Sequence, residues 1–188
     1  SLNAWTVVSS MDVEASCFDW FDDNIIYGQR DGRIMKGNTN IHTRTNRIPT
    51  SIKSVSNILI IGWDDGLVET LDPSQTPCTV STLNDDGCWG VGTIVSTDLF
   101  SKVNKIYTTG GKCWEVPVLS PVVGLTSTIA ITRDGQMFQL ASHNPVTSPV
   151  RLERVYGAAE SPAGGLVAIT GMSKGQPTLL ILQTHDIG

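Results

Sequence analysis

The side chains able to do chemistry are few and dispersed. Asp22-Asp23, Asp64-Asp65 and Asp85-Asp86 are three adjacent acid pairs, the composition of a calcium site or of a general acid with its base. Each pair sits beside its own turn and none has the spacing of an EF-hand loop, so they read as turn residues serving separate turns. His42, His143 and His185 lie in polar connecting stretches with no nucleophile at a recognisable spacing, and read as surface histidines. Ser161 lacks the flanking glycines of a nucleophile elbow, and Gly124-Leu-Thr-Ser is not a phosphate loop. Cys17, Cys78, Cys88 and Cys113 form no C-x-x-C pair and have no histidine at ligand spacing, which argues against zinc. Cys17 and Cys113 read as small buried hydrophobes, while Cys78 and Cys88 flank a turn and are candidates for pairing. These patterns call for no metal and no cofactor.

Residues suited to binding are more plentiful. Between Arg30 and Lys53 stand Arg30, Arg33, Lys36, Arg44, Arg47 and Lys53, with Asp31 as the only acid. That density is low for a nucleic-acid site but suits an acidic protein subunit. From Ile61 to Phe100 there are seven acids and no base, either a face for a basic partner or a set of solvated turns. Trp63 and Trp89 stand at turns, where an indole either packs locally or anchors a partner. Trp20 and Trp114 stand on strands and read as packed between sheets. The candidate partner-binding residues are therefore Trp63, Trp89, Arg30, Arg33, Arg44 and Arg47.

At 188 residues, 40% hydrophobic and 16% charged, the chain can bury a core as one domain spanning 1–188. A net charge of -5 opposes a generic basic nucleic-acid surface, so direct nucleic-acid contact is possible but not favoured. No apolar run reaches the roughly 18 residues of a membrane span, and no signal peptide opens the chain. The expectation is a soluble intracellular protein, nuclear rather than cytoplasmic. Because it starts at Ser1, we expect a fragment, a processed product or the ordered part of something longer.

What must position these residues is a recurring hairpin. Asn24-Ile-Ile-Tyr-Gly-Gln-Arg-Asp-Gly-Arg-Ile-Met-Lys-Gly37 runs from a strand through Asp-Gly into a second strand. The pattern returns at Asn57–Leu71, Asn104–Val116, Ser127–Leu140 and, more loosely, Gly165–Leu182. The turn glycines Gly32, Gly66, Gly111, Gly135 and Gly175 are 34, 45, 24 and 40 residues apart. Three intervals fit a propeller blade. The 24-residue one means a lost outer strand, one irregular blade or an omitted loop. Small sheets of this kind bury both faces by stacking around an axis. An all-β propeller is thus favoured over a β-sandwich, with a barrel third.

The units resemble WD40 repeats. The likeness is carried by Phe21-Asp22-Asp23-Asn24, Gly28-Gln-Arg-Asp-Gly32, Gly62-Trp-Asp-Asp-Gly66, Leu71-Asp72, and Ser161-Pro162-Ala163-Gly164 followed by Leu166-Val-Ala-Ile169. No Gly-His pair opens any repeat, and Trp-Asp occurs only inside a turn, so the histidine–serine–tryptophan network of the family is not carried over. More narrowly, Arg154–Ile169 resembles the late blade of the smaller propeller subunits of the RNA polymerase III factor TFIIIC. The resemblance implies WD40-like blades, complete or as part of a six- or seven-bladed ring. An incomplete ring would leave apolar faces on its terminal blades, with Val7-Val8 and Leu179–Leu182 as closure strands. The implied function is a non-enzymatic scaffold for protein subunits within a larger complex; a propeller glycoside hydrolase or lyase with acids in a central pocket and a peptide-recognition propeller are the alternatives.

Overall fold

The computed structural model describes residues 6, 9–87 and 89–183. Its strands form five consecutive antiparallel sheets. The first holds β1 (Ala15–Phe21), β2 (Asn24–Gln29), β3 (Arg33–Lys36) and β4 (Thr39–Thr43). The second holds β5 (Pro49–Val55), β6 (Ile58–Trp63), β7 (Val68–Asp72) and β8 (Thr79–Asn84). The third comprises β9 (Val91–Ser96), β10 (Leu99–Lys102), β11 (Lys105–Thr108) and β12 (Lys112–Glu115). The fourth comprises β13 (Val122–Leu125), β14 (Ile129–Thr132), β15 (Met137–Gln139) and β16 (Pro145–Val146). Among the described residues the fifth has three strands, β17 (Arg154–Glu160), β18 (Leu166–Ser173) and β19 (Gln176–Gln183).

Successive first strands pack on one another, β1 on β5, β5 on β9, β9 on β13 and β13 on β17. This is the radial stacking of WD40-like propeller blades rather than the two facing layers of a sandwich. No comparable packing joins β17 to β1 among the described residues. The apolar core divides accordingly into four clusters, one per interface. Ile26, Ile34, Leu59, Ile61 and Trp63 fill the first, and Ile60, Val68, Val91 and Phe100 the second. Ile106, Leu125 and Phe138 fill the third, and Ile131, Val155, Val167 and Ile169 the fourth. Strand β6 sends Leu59 and Ile61 one way and Ile60 the other, which is why interior strands read as continuous apolar runs.

The repeated Gly-x-x-Asp-Gly has two distinct causes. A Cβ on Gly28 would lie 2.5 Å from Pro49 Cγ, and one on Gly62 would lie 2.4 Å from Val91 Cβ. The first glycine therefore admits the opening residue of the next blade. The second glycine closes the hairpin at positive φ, +92° at Gly32 and +90° at Gly66.

The irregular interval has a plain explanation. The hairpin at Gly111 joins β11 to β12, whereas the other four turn glycines join the second and third strands of their sheets. In the third sheet that turn is Val103-Asn104, with a valine at φ +51° where the others use glycine. Blade three lacks no strand; its turn lacks the signature. A β-branched residue is costly in this region. We predict that Val103→Asn raises stability by about 1 kcal/mol. Thermal unfolding should show it as a higher Tm.

Two strand expectations meet different outcomes. Leu179–Leu182 lies within β19 as a strand, whereas Val7-Val8 lies outside the described residues.

Candidate interaction surface

The turns between second and third strands and the links between blades lie at one end of the stack. Backbone bonds tie them together: Arg44 N donates to Gly32 O at 3.0 Å and Asp64 N to Ile48 O at 2.9 Å. All six candidate contact residues are on this end or beside it, on the first two blades and the link that follows.

Trp63 is not a surface residue, and its assignment as a partner contact is corrected. It is fully buried between the first two blades, and its Nε1 donates to Glu69 Oε2 at 2.9 Å. Glu69 is fully buried as well, with His42 Nε2 3.2 Å from Oε2 and Arg44 Nε donating to Oε1 at 2.8 Å. His42 also meets the Trp63 ring edge-on, so it is an interior residue and not the expected surface histidine. Burial alone would push the Glu69 carboxyl up. The hydrogen bonds from His42 and Arg44 and the Arg44 charge outweigh it and hold the group at about 2.

The remaining arginines divide. Arg47 pairs with Asp65 at 2.8 Å and Arg33 with Asp31 at 2.8 Å, leaving each charge answered within the chain. Arg30 is exposed at its turn, and Trp89 is 64% exposed in the link before the third blade. Gly90 keeps that link close to Asp64, since a Cβ there would lie 3.1 Å from Asp64 O.

Five of the seven acids of the acidic stretch are likewise taken up internally. Asp64 Oδ1 accepts from Ile48 N, Asp65 meets Arg47, Glu69 meets Arg44, and Asp72 caps Ser74. Asp86 Oδ1 lies 2.7 Å from Lys102 Nζ, and Lys102 is fully buried, bonded also to Asn84. Arg44 and Arg47 of the basic stretch thus pair with Glu69 and Asp65 of the acidic stretch across the first inter-blade interface and its links.

Other placements differ from expectation. Trp20 is 61% exposed on the outward side of the first blade, whereas Trp114 does pack edge-on against Phe138 of the next blade and stacks on His143. Cys113 is exposed on the outermost strand of its sheet rather than buried, while burial pushes the Cys17 thiol up to about 11. Cys88 and His185 lie outside the described residues.

At the far end of the first strands, a cavity of about 630 Å³ is lined by Lys53, Thr93, Thr126, Ser127, Glu160 and Ser161 among others. Among the described residues Glu160 is the one carboxylate in that lining, and it accepts from Ser127 N at 3.0 Å and Ser127 Oγ at 2.7 Å. Glycoside hydrolysis of the usual kind needs two carboxyl groups across one site. The roles of Glu69, His42 and Lys102 leave no pattern in the sequence because each has a partner on a neighbouring blade or link, and Trp63 takes its acceptor from Glu69 on the adjacent strand of its own blade. The one signal was Glu69 itself, a lone acid inside the apolar run Leu67-Val-Glu-Thr-Leu71.

No family model matches the chain, and no curated protein matches it in sequence. Its fold is similar to that of solved WD40 propeller structures. One is a chain of the mitotic checkpoint complex, with TM-score 0.71 and 15% identity over 100% of this chain and 71% of that one. The WD40 β-propeller domain of Doa1 gives TM-score 0.60 and 14% identity over 88% of this chain and 62% of that one. The computationally designed Ika8 protein gives TM-score 0.59 and 16% identity over 88% of this chain and 57% of that one. The chain therefore spans less than two thirds of the last two. These likenesses establish the fold alone and lend no support to the narrower resemblance to TFIIIC. No helix among the described residues is long and apolar enough to cross a membrane.

Proposed function

We propose that the chain is a non-enzymatic scaffold, a propeller unit spanning 1–188 that holds protein subunits within a larger complex. The observation that carries this reading is Trp89, a large indole left 64% exposed in the link before the third blade, at the end where Arg44 and Arg47 are paired within the chain. A desolvated tryptophan is among the commonest anchors of a protein interface, and Arg30 on the same end adds a charge for an acidic rim. The WD40-like fold supports the reading, since one similar chain comes from a multiprotein complex. Burial of Trp63 removes one of the two indoles on which peptide recognition at this end would depend.

The test is purification from the native source under mild conditions, followed by identification of stoichiometric partners. Trp89→Ala is expected to weaken the principal complex by about 2 kcal/mol, roughly thirtyfold in Kd, with the fold unchanged. Recovery of a monomer that hydrolyses glycosides and carries no partner overturns the scaffold reading.

A further inference from the structure

We infer that Lys102 is the positioning residue of the Trp89 anchor: its buried ammonium grips the link between the second and third blades from within and fixes where the indole stands. The inference rests on the scaffold reading and adds to it how that anchor is held.

Lys102 is the last residue of β10 and is fully buried. An ammonium carries three N–H donors, and burying it is costly unless they find partners. Nζ donates to Asn84 Oδ1 at 2.5 Å and to Asp86 Oδ1 at 2.7 Å, and it lies 5.0 Å from the centre of the Tyr107 ring. Tyr107 OH in turn donates to Asp86 Oδ2, and its ring stacks on Phe100 in the core between the two blades. Asn84 ends β8 and Asp86 follows it in the link, so both acceptors belong to the stretch that leads to Trp89.

The place is a repeated one. Val91 pairs with Lys102 as Pro49 pairs with Trp63, each at the start of a first strand. Trp63 holds Glu69, which holds Arg44 of the preceding link. Lys102 reaches its preceding link directly. A buried ion pair adds little stability over apolar side chains of the same size. What an ammonium does and a methionine cannot is to fix two acceptors at set positions.

The link has little of its own to order it. Asp85, Asp86, Gly87 and Trp89 are exposed, and Gly87 has φ +65° with nothing within 4 Å of an added Cβ. Beyond the indole, Gly90 lies close against Asp64 O. Trp89 therefore stands between two ties, Lys102 on one side and the Asp64 backbone on the other. An anchor fixed before it binds loses less freedom on binding.

The link after the third blade is held separately. Val116 N donates to Asn104 O at 2.8 Å, Val122 N to Val103 O at 2.7 Å and Asn104 Nδ2 to Val118 O at 3.2 Å. Asn104 is thus a control two residues from Lys102 that grips the other link.

The test compares Lys102→Met with Asn104→Ala in the free chain and in the complex recovered by native purification. In the free chain, Lys102→Met should speed hydrogen exchange at the Asp85, Asp86 and Trp89 amides by about tenfold or more, with Ile106 still protected. With 5-fluorotryptophan incorporated, the Trp89 fluorine line should sharpen while the Trp63 and Trp114 lines keep their widths. In the complex, Lys102→Met should weaken Kd by about tenfold, and by less than about twofold when Trp89→Ala is already present. Asn104→Ala should leave the three amides and Kd unchanged. If Lys102→Met cannot be purified folded, Asp86→Asn removes the charge from the link side and should give the same readouts at about threefold.

Unchanged amides, a Kd loss of equal size in the Trp89→Ala background, or the same loosening in Asn104→Ala overturns the inference. If Trp89→Ala weakens the complex while Lys102→Met neither frees the link nor weakens it, the scaffold reading stands and this inference falls. If Lys102→Met frees the link but the complex is indifferent to Trp89→Ala, the anchor reading fails, and the purpose assigned to Lys102 fails with it.

Discussion

Glu69→Ala should be the most damaging single side-chain change in the first inter-blade interface. It leaves Arg44 facing an empty pocket, and strands the buried Trp63 N–H and the His42 ring without their acceptor. Removing one member of a buried charged network typically costs about 3 to 5 kcal/mol, because the partners remain desolvated. In a chain of this size that is a fall in Tm of about 10 °C. The intact network also predicts an acid limb. The carboxyl titrates at about 2 in the folded chain against an ordinary 4.5, so its contribution is complete above pH 4.5 and is lost as pH falls toward 2. That difference corresponds to about 3 kcal/mol. Chemical denaturation between pH 7 and pH 2 should show this loss in the native chain and a much shallower one in Glu69→Gln. Equal pH slopes in the two would show that the carboxylate charge is not what stabilises the interface.

Gly32→Ala is the second large effect. The residue has φ +92°, and an added Cβ would lie 1.9 Å from Arg44 O, a backbone atom that receives its position from the Arg44 N to Gly32 O bond. The two penalties, an unfavourable backbone region and an overlap that only the link can relieve, together cost about 3 kcal/mol or more. Gly110 is the control. It has φ +76° but nothing within 4 Å of its added Cβ, so Gly110→Ala should cost only about 1 kcal/mol. Urea unfolding of the pair separates backbone preference from steric overlap. Near-equal losses would mean that Arg44 O moves aside freely.

The same link shows where pattern reading succeeds and where it fails. Gly28 and Gly32 are legible as a repeat because local turn geometry and close blade approach leave their mark at every copy. Val103 is not, since its turn is made by a residue type that carries no turn signal, and the third blade was consequently misaligned by one strand. Trp63 reads as a turn aromatic from its neighbours Asp64 and Asp65. Its burial is decided by Glu69 on the adjacent strand and by His42 and Arg44 from the preceding blade.

The amino-acid order by itself determined that this protein is made of repeated short hairpins whose strands are apolar on both faces. Turn chemistry and alternation are local, acting over a few residues, and so survive in the linear chain. The tertiary structure alone decided which charges are spent on one another, which tryptophans remain at the surface, and that among the described residues the first and fifth sheets each keep an exposed apolar side. Those outcomes depend on which blade stands next to which, and residues brought together by stacking leave no fixed spacing behind in the sequence.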